Sequence, residues 1–269
     1  MSTARLIPFL KASGELQMAI DTWLLEQHNP EVDRFCLRFY QWEPSALSLG
    51  YHQRHYPDHW RSFPWQDEGI DVVRRPTGGR AVLHHGDLSY ALVVAPPKEH
   101  REATYRRLCQ FLEIGWKRLG FPLHYGSVRH SNREISNCFA LTTPADLCLE
   151  NGYKWIGSAQ RWRSFPALNP PGSKTIVLQH GSIRLAPDRD LWNRIFGQDP
   201  SEPDSPLSNV ARSNLTIGNV ATGNLTNLEA IVSELVHAAE TCFQVRLIPQ
   251  PLTPEEWIQI ESYRKTVTL

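Results

Sequence analysis

With 269 residues the chain can form one large domain or two modest ones around an extensive core, which excludes a small scaffold stapled by disulfides. Its 28 Lys and Arg balance 28 Asp and Glu, so no global field recruits nucleic acid or an anionic membrane surface, and any charge selectivity must be local. Lys11, Glu15, Asp21 and Glu26 interrupt the N-terminal apolar positions, so neither a signal-peptide core nor a membrane span is expected there, and a cytoplasmic location is.

GELQMAIDTWLLEQ (14–27) places Leu16, Ile20, Trp23 and Leu24 at helical intervals, with Gly14 before them and Pro30 beyond, and predicts an amphipathic helix packed on a sheet. FCLRFYQW (35–42) and ALSLGYH (46–52), separated by Glu43-Pro44-Ser45, read as a hairpin. Residues 71–95 give strand, glycine turn, strand, polar turn and strand. Arg101 to Leu119 spaces Tyr105, Leu108, Cys109, Leu112, Trp116 and Leu119 near a 3.6 period and predicts a helix.

Lys154 to Arg163 and Ile176 to Leu185 are expected as strands on either side of the loop FPALNPPGSK (165–174). The stretch 201–227 is poor in large apolar residues and is expected as a long excursion. Leu228 to Phe243 restores helical periodicity, and Leu252-Thr253-Pro254-Glu255-Glu256 is a capped start for a last short helix. These elements imply an α+β fold, with one domain over 1–248 and a C-terminal helical appendage over 249–269.

The five cysteines, at 36, 109, 138, 148 and 242, show no CxxC spacing, and their odd number argues against a complete disulfide framework. Cys109 and Cys242 fall on apolar helical stripes and read as buried thiols. Among eleven histidines there is no HExxH or HxxEH pattern, so no metal is expected. A GxxxxGK[ST] phosphate loop is also missing from the sequence.

The densest chemical signal is Arg74-Arg75-Pro76-Thr77-Gly78-Gly79-Arg80-Ala81-Val82-Leu83-His84-His85. Paired glycines let a backbone pass close to a ligand and expose N–H groups to a carbonyl or phosphate. A second signal is Lys154-Trp155-Ile156-Gly157-Ser158-Ala159-Gln160-Arg161, where a lysine opens an otherwise apolar strand. The third is Gln179-His180-Gly181-Ser182-Ile183.

RRPTGGRAVLHH, KWIGSAQRW and LQHGSI, in this order, together with MAIDTWLLE (18–26) and QWEPSALSLGYHQ (41–53), resemble the lipoate-protein ligase family over roughly residues 10–245. The resemblance implies the biotin/lipoate protein ligase catalytic-domain fold, a mixed sheet flanked by helices with an acyl tunnel beneath the glycine turn. Arg80 stands where the ATP-using ligases carry a third glycine, which aligns the chain with the ligase-like octanoyltransferases. Those enzymes look for a cysteine before the lysine strand, and here Asn137-Cys138-Phe139 is followed by Pro144-Ala145-Asp146-Leu147. Two departures are His85, where the family commonly has aspartate, and a long loop over 163–175.

The resemblance therefore implies transfer of an octanoyl group from octanoyl-acyl carrier protein to a lipoyl-domain lysine, in the glycine cleavage H protein or a 2-oxoacid dehydrogenase acyltransferase subunit. No cofactor, nucleic acid or membrane partner is expected. Cys138 is the expected nucleophile, and Lys154 the group that lowers its pKa, holds the carbonyl and takes the amine proton. Arg75, Gly78, Gly79, Arg80, His84, Gly157, Ser158 and Ala159 are expected around the substrate, with Val73, Ala81 and Val82 flooring the tunnel. An ATP-dependent lipoate ligase, an amidotransferase between lipoyl-domain proteins and a catalytically silent lipoyl-domain binder remain as alternatives.

Overall fold

The structure is a computed structural model, described here for residues 2–33, 35–62, 70–126, 145–167, 172–186, 188–197 and 225–268. In chain order its elements are β1 (Ser2–Ala12), α1 (Gly14–Gln27), β2 (Phe35–Trp42), β3 (Ser45–Leu49), α2 (His59–Ser62), β4 (Ile70–Arg74), β5 (Val82–His84), β6 (Asp87–Val94) and α3 (Arg101–Arg118). There follow β7 (His124–Tyr125), β8 (Leu147–Cys148), β9 (Lys154–Ala167), β10 (Gly172–Arg184), α4 (Arg189–Phe196), α5 (Leu225–Phe243), β11 (Val245–Pro249) and α6 (Pro254–Val267).

Among the described residues the strands form a mixed eight-stranded sheet in the order β11-β1-β2-β6-β10-β9-β8-β7 and a second sheet in the order β4-β3-β5. β1 runs parallel to both β11 and β2, and the long β9–β10 hairpin is antiparallel to β6. Alternation along the strands sorts the core into two faces. Phe39, Tyr90 and Ile183 pack toward α3 and α5, whereas Ala91, Val93 and Leu178 pack toward α1 and α6. A third cluster joins β3, β4 and β5 to Leu191, Trp192 and Ile195 of α4.

The expected hairpin between 35–42 and 46–52 does not form. β2 is hydrogen-bonded on both edges, to β1 and β6, and all but one of its side chains are buried, so no edge is left for β3. β3 instead crosses to the second sheet, where β4 lies on one side and β5 on the other. The β9 and β10 strands run further into the expected loop than the proline content suggested, to Ala167 and from Gly172. Most of the 201–227 excursion lies outside the described residues, and helix α5 begins at Leu225.

Local sequence explains the helix ends. Ser13 caps α1 by accepting from the Leu16 N–H. Thr253 and Glu256 form a reciprocal capping box at the start of α6. Glu256 also receives both terminal nitrogens of Arg5 on β1, at 2.6 and 2.7 Å. Segment 249–269 sends Leu252, Ile260 and Val267 into the cluster beneath α1, and Trp23 of α1 donates to Gln259 at 2.9 Å. Ile260→Ala is therefore expected to cost about 2–5 kcal/mol of global stability in a urea titration. A loss below about 0.5 kcal/mol would show that α6 does not fold with the sheet.

Candidate active site

The glycine turn is built around Arg75. Its buried guanidinium donates to the carbonyls of Gly78 (2.8 Å), Arg80 (2.7 Å) and Ser48 (2.8 Å), so the side chain staples the turn to β3 from within. A trans peptide points its N–H opposite its carbonyl, so this staple turns the Gly79 N–H away from Arg75. Gly79 has φ of 101°, a left-handed conformation that suits glycine. A side chain at Gly50 would overlap the Gly79 carbonyl, which is why the SLG loop and the turn can lie against each other. Arg74 donates to the carbonyls of Gly50 and Gln53 and holds that loop in place.

Beneath the turn, where the α1 face of the large sheet meets the small sheet, is a cavity of about 290 Å³. Exposed Gly79 and the partly exposed Gly78, Gly157 to Gln160 and Gly181 are on its lining and mark its mouth. Met18, Tyr40, Trp42, Ser48, His84 and Ser89 are buried and form its inner end.

Many of these residues are polar, yet their polar atoms are bonded to one another. Asp87 accepts from His84 Nδ1 (2.9 Å), Ser89 (3.2 Å) and Ser182 (2.6 Å), and Trp42 Nε1 donates to Ser89 at 2.8 Å. Trp42 also stacks on His84, with ring centroids 3.9 Å apart. In the neighbouring row Asp21 accepts from Arg38 (2.9 Å), Tyr40 (3.0 Å) and His180 Nδ1 (2.7 Å), while His180 Nε2 meets the Thr77 hydroxyl at 2.6 Å. Satisfied in this way, the wall offers a ligand chiefly carbon faces, which suits an alkyl chain.

Burial pushes His84 below its ordinary value of 6.5 against the opposing pull of Asp87. The ring is thus neutral at physiological pH, donating through Nδ1 to Asp87 and accepting the Ser48 hydroxyl proton at Nε2, 2.8 Å away. Burial raises Asp21, but the Arg38 charge and the His180 and Tyr40 hydrogen bonds outweigh it and leave this carboxylate below its usual range.

Of the residues expected at the site, Arg75, Gly78, Gly79, His84, Gly157, Ser158 and Ala159 line this cavity. Arg80 does not line it and contributes its backbone carbonyl to the Arg75 staple. Only Val82 of the three expected floor residues lines it. Val73 packs in the α1 cluster and Ala81 in the α4 cluster, because both are turned into those cores. Cys138 lies outside the described residues.

Lys154 is also not part of the cavity lining, but it is buried and its Nζ lies 3.0 Å from Asp146 Oδ1. Tyr153 and Trp155, on either side of it, both enter the α3 cluster, so Lys154 belongs to the opposite face, the one shared by Gly157 and Ala159. A bulge achieves this. Leu147 pairs with Ile156 and Cys148 with Lys154, leaving Trp155 as the extra residue. Among the other cysteines, burial pushes the thiols of Cys36 and Cys109 up to about 12 and that of Cys242 up to about 11, which makes them poor nucleophiles at neutral pH.

The sequence reading did not place Asp21, Asp87 or Trp42 at the site. Asp87-Leu88-Ser89 alternates polar and apolar on a buried strand, a pattern that signals an inward-facing polar row. Because the folded state holds His84 below 6.5, the unfolded chain binds more protons and the associated stability is lost as pH falls below 6.5. Urea midpoints measured between pH 7.5 and 5 should therefore fall less steeply in His84→Gln than in wild type. Equal slopes would exclude this contribution.

The sequence model of the lipoyl protein ligase A/B catalytic domain matches residues 13–234. The octanoyltransferase LipM of Bacillus cereus is 31% identical over 271 residues, covering 95% of this chain and 91% of that one. LipM of Lysinibacillus sphaericus is 30% identical, covering 91% and 89%. Among solved structures, lipoate-protein ligase A bound with ATP superposes with a TM-score of 0.72 at 18% identity, over 98% of this chain and 95% of that one, and shares the fold. The chain thus belongs to the lipoyl protein ligase A/B catalytic-domain family and, within it, to the LipM-type octanoyltransferases of lipoate biosynthesis.

Proposed function

We propose that the chain moves an octanoyl group from the thioester of acyl carrier protein to a lysine of a lipoyl domain, with Cys138 carrying the acyl group between them. The observation that supports this most is the size and lining of the cavity. About 290 Å³ with mostly carbon surface is space of the size and character in which a medium-length alkyl chain is sheltered. Each methylene sheltered there contributes about 0.8 kcal/mol.

In the first half-reaction the Cys138 thiolate attacks the donor thioester carbonyl. The tetrahedral oxyanion is held by the Gly79 N–H and the Lys154 ammonium; as it collapses the carrier thiolate departs and takes a proton from Lys154, leaving the lysine neutral. In the second, the lysine amine of the lipoyl domain attacks the acyl-cysteine, Lys154 takes the amine proton in its neutral form, and the Cys138 thiolate leaves. The thioester already carries the activation that adenylation supplies in a ligase.

Two outcomes test this reading. Purified protein should transfer octanoate from octanoyl-acyl carrier protein to a lipoyl domain with no ATP and no divalent metal, and an absolute ATP requirement would reassign it to the ligases. Lys154→Ala should lower kcat by at least about 100-fold, and Lys154→Arg should restore little, since a guanidinium stays protonated near neutrality. Near-normal turnover in either variant removes Lys154 from the chemistry.

A further inference from the structure

The role of Lys154 proposed above requires its ammonium to be held at one point, and the structure offers a device for that. A lysine side chain turns about several bonds and has much rotamer freedom to lose, so a buried one is fixed only by a partner. Nζ lies 3.0 Å from Asp146 Oδ1, and the two side chains are 3% and 6% exposed. The Asp146 backbone is itself tied down, because its carbonyl accepts from the Gly126 N–H at 2.8 Å at the end of β7. The residues after it pair with β9 across the bulge that turns Lys154 to the cavity face.

A buried ion pair is a poor way to stabilise a fold. Removing both charges from water costs several kcal/mol each, and apolar side chains of the same volume often serve as well or better. Placing one three residues before Gly157, at the cavity mouth, makes sense if the ammonium is used and must not wander. We propose that Asp146 is the positioning residue for Lys154: its carboxylate holds Nζ in place for acyl transfer without itself touching the acyl group.

This inference rests on the transferase reading, and the experiment separates the two. Octanoyl transfer from octanoyl-acyl carrier protein to a lipoyl domain is measured for wild type, Lys154→Ala, Asp146→Asn and Asp146→Ala, with thermal unfolding as a check on folding. Asp146→Asn preserves shape and removes the charge, so it decides the matter if Asp146→Ala fails to fold. Misplacing Nζ by about 1 Å should lower kcat about 100-fold while KM for the donor stays within about twofold. Added formate should restore part of the kcat of Asp146→Ala by supplying a carboxylate beside Nζ, which a purely structural loss would not permit.

Wild-type kcat in Asp146→Asn overturns the positioning role, as does a raised KM with unchanged kcat. If Lys154→Ala itself turns over normally, the transferase role of Lys154 fails first and this inference falls with it. An inactive Lys154→Ala beside a normal Asp146→Asn overturns the inference alone.

Discussion

Asp21, wholly buried on α1, accepts hydrogen bonds from Arg38 and Tyr40 of β2 and from His180 of β10, and His180 passes the connection on to Thr77 at the glycine turn. One carboxylate therefore ties the first helix, two non-adjacent strands of the large sheet and the turn over the cavity. Its ion pair with Arg38 is the costly part. Both groups are out of water, so neither tolerates loss of the other, and breaking such a pair typically costs 3–5 kcal/mol. The network braces the residues that line the cavity, with both carboxylate oxygens of Asp21 engaged behind them.

Asp87 repeats the device further along the same face of the large sheet, gathering His84, Ser89 and Ser182 and, through Ser89, the Trp42 indole. The two carboxylates convert residues that look hydrophilic in the sequence into a surface suited to hydrocarbon. They also stiffen it: Trp42 cannot retract without giving up its bond to Ser89 and its stack on His84. A rigid wall of this kind favours a ligand of defined length over a family of longer ones.

Much of this was legible in the sequence where the cause is local. The helix over 14–27, the capped start at Thr253 and the glycine turn follow from residue chemistry within a few positions, and each formed where its pattern lies. The pairing of β2 was not legible, because proximity in the chain favoured β3 while the strands that occupy its two edges are β1 and β6. Asp21 stood in the sequence only as one of the charges among the apolar positions of the first helix, since its partners Arg38 and His180 are distant in the chain. Asp146 stood in a quoted motif, yet its bond to Lys154 depends on the bulge at Trp155, which nothing in the local pattern announces.

The central claim is that an acyl group rests covalently on this chain between donor and acceptor. The direct test is intact-mass and peptide-mass analysis after mixing the protein with octanoyl-acyl carrier protein in the absence of ATP. A hydroxylamine-labile octanoyl adduct on the peptide containing Cys138, discharged by a lipoyl domain, is the predicted result. An adduct on Cys148 instead, or transfer to the lipoyl domain with no acyl-enzyme formed, would contradict it.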